Sequence, residues 1–118
     1  MPHPFKAYEV EVLGMILADE YSPRELSALL DGPSTIQVEY TNYGFYISVE
    51  NSSIGKERRV YSSDPSLIGR WNNKDAGFVA FLEDNHLTLE IHPWDGESLP
   101  ATFRDCDVQV IRGPSNQP

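Results

Sequence analysis

The chain has 118 residues, 40% hydrophobic and 11% aromatic, and a formal net charge of −9 from 18 acidic and 9 basic side chains. That is one domain's length (1–118), able to bury roughly 65% of its unfolded surface, which excludes a disordered chain. The charge disfavours nucleic acid and anionic membranes and suits either a basic protein partner or solubility alone, while the single cysteine, Cys106, excludes an internal disulfide and points to a reducing cytoplasm.

In chain order, Met1 to Lys6, with Pro2 and Pro4, reads as an extended leader. Residues 7–20, AYEVEVLGMILADE, fit two periods. Tyr8, Val10 and Val12 alternate with Glu9 and Glu11 as in a strand, whereas Val10, Leu13 and Leu17 with Tyr21 make a helical stripe. The helix formers near the end of the segment, and the lack of turn residues before Tyr21, favour the helix. Ser22-Pro23-Arg24-Glu25 is a capping box: Ser at the N-cap, Pro in the first turn, and Glu placed to reach back to the N-cap amide. A short helix follows through Leu26, Ala28, Leu29 and Leu30, and Asp31-Gly32-Pro33 stops it.

From Ser34 the pattern turns to β. Ile36, Val38 and Tyr40 alternate with polar residues, Thr41 to Gly44 turns, and Phe45 to Val49 returns. Asn51 to Lys56 is a polar loop, Arg59 to Ser62 a short strand, Ser63-Asp64-Pro65 a turn and Leu67 to Trp71 a further strand. Asn72 to Ala76 leads into a central hairpin, Gly77 to His92, whose two-residue loop is Asp84-Asn85. That loop sets Glu83 opposite His86, Leu82 opposite Leu87, and so on to Phe78 opposite Ile91. One face then gathers Phe78, Ala80, Leu82, Leu87, Leu89 and Ile91, while the other mixes Val79 and Phe81 with Thr88, Glu90 and His92. His92-Pro93-Trp94-Asp95-Gly96 reads as a loop, Val108 to Ile111 as a last strand, and Gly113 to Pro118 as a frayed tail. The expected class is α+β: one or two N-terminal helices packed on a mostly antiparallel sheet of about five or six strands.

Charge is segregated along this order. Residues 7–31 carry Glu9, Glu11, Asp19, Glu20, Glu25 and Asp31 against Arg24. Residues 56–74 reverse the sign with Lys56, Arg58, Arg59, Arg70 and Lys74, and residues 75–107 are acidic again. The acidic segments either neutralise the basic one inside the fold or form separate surfaces.

Chemistry-bearing motifs are sparse. His86, Glu90 and His92 share a strand face, but at about 3.3 Å per residue the two histidines stand roughly 20 Å apart, too far to hold one ion. No metal or cofactor is expected. Cys106 lies between Asp105 and Asp107, whose charge opposes a thiolate, so it reads as a structural cysteine. No nucleophile elbow or glycine-rich phosphate cradle occurs. No apolar run approaches the ~20 residues of a membrane span, and without a secretory signal the sequon Asn51-Ser52-Ser53 carries no weight.

What remains is a surface. The reading favoured by size and charge is an acidic protein-binding module, of the inhibitor or immunity type, that covers a basic partner. Its candidate face is Glu83, Asp84, Glu90, His92, Trp94, Asp95 and Glu97, with Trp94 as an aromatic anchor. The alternatives are a domain that self-associates as a homodimer through a sheet edge or the Val79/Phe81 face, and a small enzyme with a carboxylate site between His92 and Glu97.

Overall fold

The computed structural model describes residues 5–31, 36–62, 66–94 and 96–113. Two helices, α1 (Ala7–Ile16) and α2 (Pro23–Asp31), precede seven strands: β1 (Ile36–Tyr40), β2 (Phe45–Glu50), β3 (Arg59–Tyr61), β4 (Leu67–Trp71), β5 (Lys74–Glu83), β6 (His86–Pro93) and β7 (Gln109–Arg112). The sheet order is β1-β2-β6-β5-β4-β7, β3 also pairs with β5, and every described pairing is antiparallel. The expected α+β architecture is the one found. The sheet reaches seven strands because the ten-residue β5 takes β4 along Lys74–Ala76 and β3 along Ala80–Leu82.

The central hairpin has the register its loop dictates, with Glu83 opposite His86, Leu82 opposite Leu87 and Phe78 opposite Ile91. Asp84 (φ 54°) and Asn85 (φ 65°) both take the left-handed conformation that a two-residue hairpin turn requires. A second such turn lies just before it: Asn72 (φ 49°) and Asn73 (φ 68°) fold β4 onto β5. Residues 74–76 are therefore strand already, not a lead-in to the hairpin. At the far end His92 and Pro93 continue β6, because they pair with Gly77 and Ala76.

The capping box closes as written. The Ser22 amide donates to Glu25 Oε1 (2.9 Å) and the Glu25 amide to Ser22 Oγ (3.1 Å), holding the start of a helix that buries Leu26, Leu29 and Leu30. α1 is a helix, and its covered side is wider than the expected stripe, of which Leu13 and Leu17 are buried and Val10 and Tyr21 pack half-buried against the core. Tyr8, Glu9, Val12, Leu13 and Ile16 face inward. The wider face is possible because Glu9, 0% exposed, meets Arg104, whose Nε and Nη2 donate to the two carboxylate oxygens at 2.7 and 2.9 Å. The Lys6 amide adds a third bond to Glu9 (2.8 Å), and the Tyr8 hydroxyl donates to the Arg104 carbonyl (3.0 Å). Burial pushes the Glu9 carboxyl above its ordinary range, opposed by the Lys6 amide and the Arg104 guanidinium, and it raises the Tyr8 phenol as well.

Three further differences concern the ends of the chain. Phe5, expected in an extended leader, is buried in the core. A 3₁₀ turn at Phe103–Asp105, without a sequence signal, seats the fully buried Phe103 and presents Arg104 to Glu9. Gly113 is held by its amide's bond to the Ser66 carbonyl (2.6 Å) rather than frayed. Residues 1–4, the Gly32-Pro33 stop, the Ser63-Asp64-Pro65 turn, Asp95 and the tail from residue 114 lie outside the described residues.

Burial alternates along the sheet and shows which face the helices cover. Phe45, Ile47, Val49, Phe78, Ala80, Leu82, Leu87, Leu89 and Ile91 join the buried residues of both helices in one core. Their sequence neighbours on β2, β5 and β6 are half-buried or exposed along the outer side, Gly77 apart.

Candidate functional site

The outer side of the sheet is built in rows, because residues paired across antiparallel strands share a face. One row runs Glu39, Tyr46, Glu90, Val79 across β1, β2, β6 and β5. A second runs Gln37, Ser48, Thr88, Phe81, Val60, and ends on β3. A third holds Glu50, His86 and Glu83, and His92 pairs with Gly77 beyond the first row. Exposed aromatic and apolar side chains lie among these carboxylates: Tyr46 is 36% exposed and Val60 52%. Trp94, just past the end of β6, is 40% exposed.

Glu90 is the hub of this surface. Its Oε2 accepts the Tyr46 hydroxyl (3.1 Å), and its Oε1 lies 3.8 Å from His92 Nδ1. The bond to Glu90, its charge, and that of Glu39 push the Tyr46 phenol up, so it stays a neutral donor. The His92 ring sits against Gly77, where any Cβ would strike the imidazole, Nε2 first. Its Nδ1 is shielded from solvent and makes no hydrogen bond. Ser48 and Thr88 share a hydroxyl bond (2.9 Å) in the neighbouring row.

The residues singled out from the sequence fall into two groups. Glu90, His92 and Trp94 come together at one end of β6, where a cleft of about 130 Å³ opens beside Val79, Ser62 and Ser66. Glu83 and Asp84 lie at the opposite end, at the hairpin turn, with a shallow depression of about 390 Å³ between Lys56, Phe81 and His86. The first is below the roughly 300 Å³ of a small-molecule site, and the second is open to solvent. Glu83 is 3.9 Å from Arg58, whose guanidinium sits 5.8 Å from the Phe81 ring centroid. The Asp84 carbonyl takes His86 Nδ1 at 2.8 Å. Glu97 pairs with Lys74 at 3.0 Å, and Asp95 lies outside the described residues.

The segregated charges neutralise one another to a large extent. Arg59 pairs with Glu20 of the first acidic segment; Arg58, Arg70 and Lys74 pair with Glu83, Asp75 and Glu97 of the last. Excess negative charge is left on the strands that the sequence reading passed over. Glu39 and Glu50, both exposed, share the outer face with Glu90, Glu39 across Tyr46 in the same row and Glu50 in the row of His86, and β1, β2 and β6 contain no Lys or Arg. The signal was present: Glu39, Tyr46, Ser48 and Glu50 occupy the polar positions of the two alternating runs.

Among the described residues, no group of three His, Cys, Asp or Glu side chains is placed to hold a metal ion. No helix among these residues is long and apolar enough to cross a membrane. Cys106 is half-buried, with its thiol donating to the Thr102 carbonyl (3.2 Å). Compared with protein-family models, curated proteins and solved structures, the chain matches none.

Proposed function

We propose that this protein is a binding module that receives a basic protein on the outer face of its sheet, in the manner of an inhibitor or immunity protein. One observation carries the reading: Glu39 and Glu90 flank Tyr46 from the neighbouring strands, Glu50 stands further along β2, and the three strands carry no Lys or Arg. An aromatic ring with a polar handle, held between two carboxylates on a rigid sheet, suits Arg and Lys side chains of a partner. The net charge of −9 steers such a partner from a distance. Glu83 and Glu97, engaged by Arg58 and Lys74, supply the rim rather than the centre. Trp94, exposed at the far end of β6, extends the face with an aromatic anchor.

The test is affinity capture from the source cell's lysate at low and high salt, followed by titration of the purified partner. A basic protein retained at low salt, released at high salt, and bound at least about tenfold more weakly by Glu39→Lys and Glu90→Lys variants is the expected result. Binding that ignores both salt and these charge reversals overturns the reading.

A further inference from the structure

β1 forms one edge of the sheet, and β2 is its neighbour there. The bond from the Thr41 amide to the Gly44 carbonyl (3.0 Å) sets the parity of this ladder. Glu39 and Gln37 exchange bonds with Tyr46 and Ser48, so the N–H and C=O groups of Ile36, Val38 and Tyr40 point away from β2. At the centre of that edge Val38 is 46% exposed, and Gln37 and Glu39 beside it are exposed too. Edge strands are commonly blunted by Lys, Pro or a bulge. On the other side of the sheet, β3 follows Arg58 and starts with Arg59, and β7 ends in Arg112; β1 has no Lys, Arg or Pro.

We propose that β1 pairs with the β1 of a second copy, antiparallel about a two-fold axis at Val38. The occupant follows from the strand's own sequence. In this register Val38 meets Val38 of the other copy, Ile36 meets Tyr40, and Gln37 meets Glu39, so each glutamate faces an amide able to donate to it. A register centred on Glu39 would set two glutamates side by side. Ile36, Val38 and Tyr40 then form about six hydrogen bonds across the axis, two for each facing pair. The axis stands perpendicular to the sheet, so the outer faces of both copies lie on one side as a continuous surface. The inference does not rest on the proposed binding of a basic partner, and salt separates the two. Each copy carries −9, so screening strengthens the self-pairing while it weakens capture of a cation-rich protein.

The experiment is sedimentation equilibrium of the full chain from micromolar to millimolar concentration at low and high salt, with amide exchange followed by NMR. The expected mass rises from 13.3 kDa toward twice that value, more readily at high salt. The Val38 amide becomes protected only where the mass rises. Val38→Lys, at an exposed position, keeps the monomer's melting curve and weakens pairing by about tenfold or more; Gln37→Glu weakens it chiefly at low salt. A mass of 13.3 kDa throughout, a dimer that Val38→Lys leaves intact, or a Val38 amide that exchanges freely in the dimer overturns the proposal.

Discussion

Replacing Arg104 by Met removes the guanidinium from Glu9 while keeping most of the side chain's apolar volume. Glu9 is 0% exposed and the Arg104 side chain 12%, so water cannot take over the two lost bonds without opening the core. Breaking a buried pair by deleting one partner costs about 3–5 kcal/mol. The remaining bond from the Lys6 amide (2.8 Å) keeps one oxygen satisfied, which argues for the lower end, about 3 kcal/mol. For a chain of this size that lowers Tm by about 10–15 °C. The loss depends on pH with a definite sign. Burial already raises the Glu9 carboxyl, and without Arg104 the main opposing charge is gone. The folded variant then binds a proton more tightly than the unfolded chain, so its deficit is small below the ordinary carboxylate pKa of about 4.3 and grows as pH rises through the folded value. Urea unfolding of wild type, Arg104→Met and the double variant Glu9→Gln/Arg104→Met between acid and neutral pH measures this. The double variant should recover part of the stability and lose the added pH dependence. A penalty under about 1 kcal/mol for Arg104→Met, unchanged with pH, would refute a buried charge pair at this position.

Two other predictions concern the hairpin and the acid limb. Asn73 holds φ 68°, so Asn73→Gly should be neutral or stabilising by up to about 1 kcal/mol, and Asn73→Val should cost about 1–2 kcal/mol in thermal unfolding. The Arg70 guanidinium, bonded to both Asp75 oxygens at 2.7 and 2.9 Å, holds that carboxyl below its usual range. Lys6 does the same for Asp105, and the Ser22 cap for Glu25. Because these folded values are depressed, their stabilisation is present above the unfolded pKa and is lost as pH falls through the folded one. Denaturant midpoints followed below about pH 4 should drop more steeply for wild type than for Asp75→Asn or Asp105→Asn.

The parts legible in the sequence are those governed by neighbours along the chain. The Ser22–Glu25 box is four consecutive residues, and both of its hydrogen bonds form as the pattern requires. The Asp84-Asn85 loop is two residues long, so the register from Glu83/His86 to Phe78/Ile91 and the core face of Phe78, Ala80, Leu82, Leu87, Leu89 and Ile91 follow from alternation alone. Asn72-Asn73 carries the same kind of signal, since asparagine tolerates positive φ, and a closer reading of it would have placed the start of β5.

What depended on the tertiary structure involves residues far apart in the chain. Glu9 looks like a solvent-facing residue of α1 until Arg104, on a 3₁₀ turn without a local signature, arrives to accompany it into the core. That one contact lets the inward side of α1 take in a carboxylate beside Val12, Leu13 and Ile16. The same holds for the charged surface. The carboxylates of the His92–Glu97 loop drew attention because they cluster in sequence, yet Lys74 engages Glu97. The open acidic face is assembled from Glu39, Glu50 and Glu90, separated by up to fifty-one positions and joined only through the β1–β2–β6 pairing. Local periodicity is written into each segment by the geometry of its own backbone. Which charges cancel, and which remain to meet a partner, is set by strand order, because Coulomb attraction depends on distance in space and not on separation along the chain.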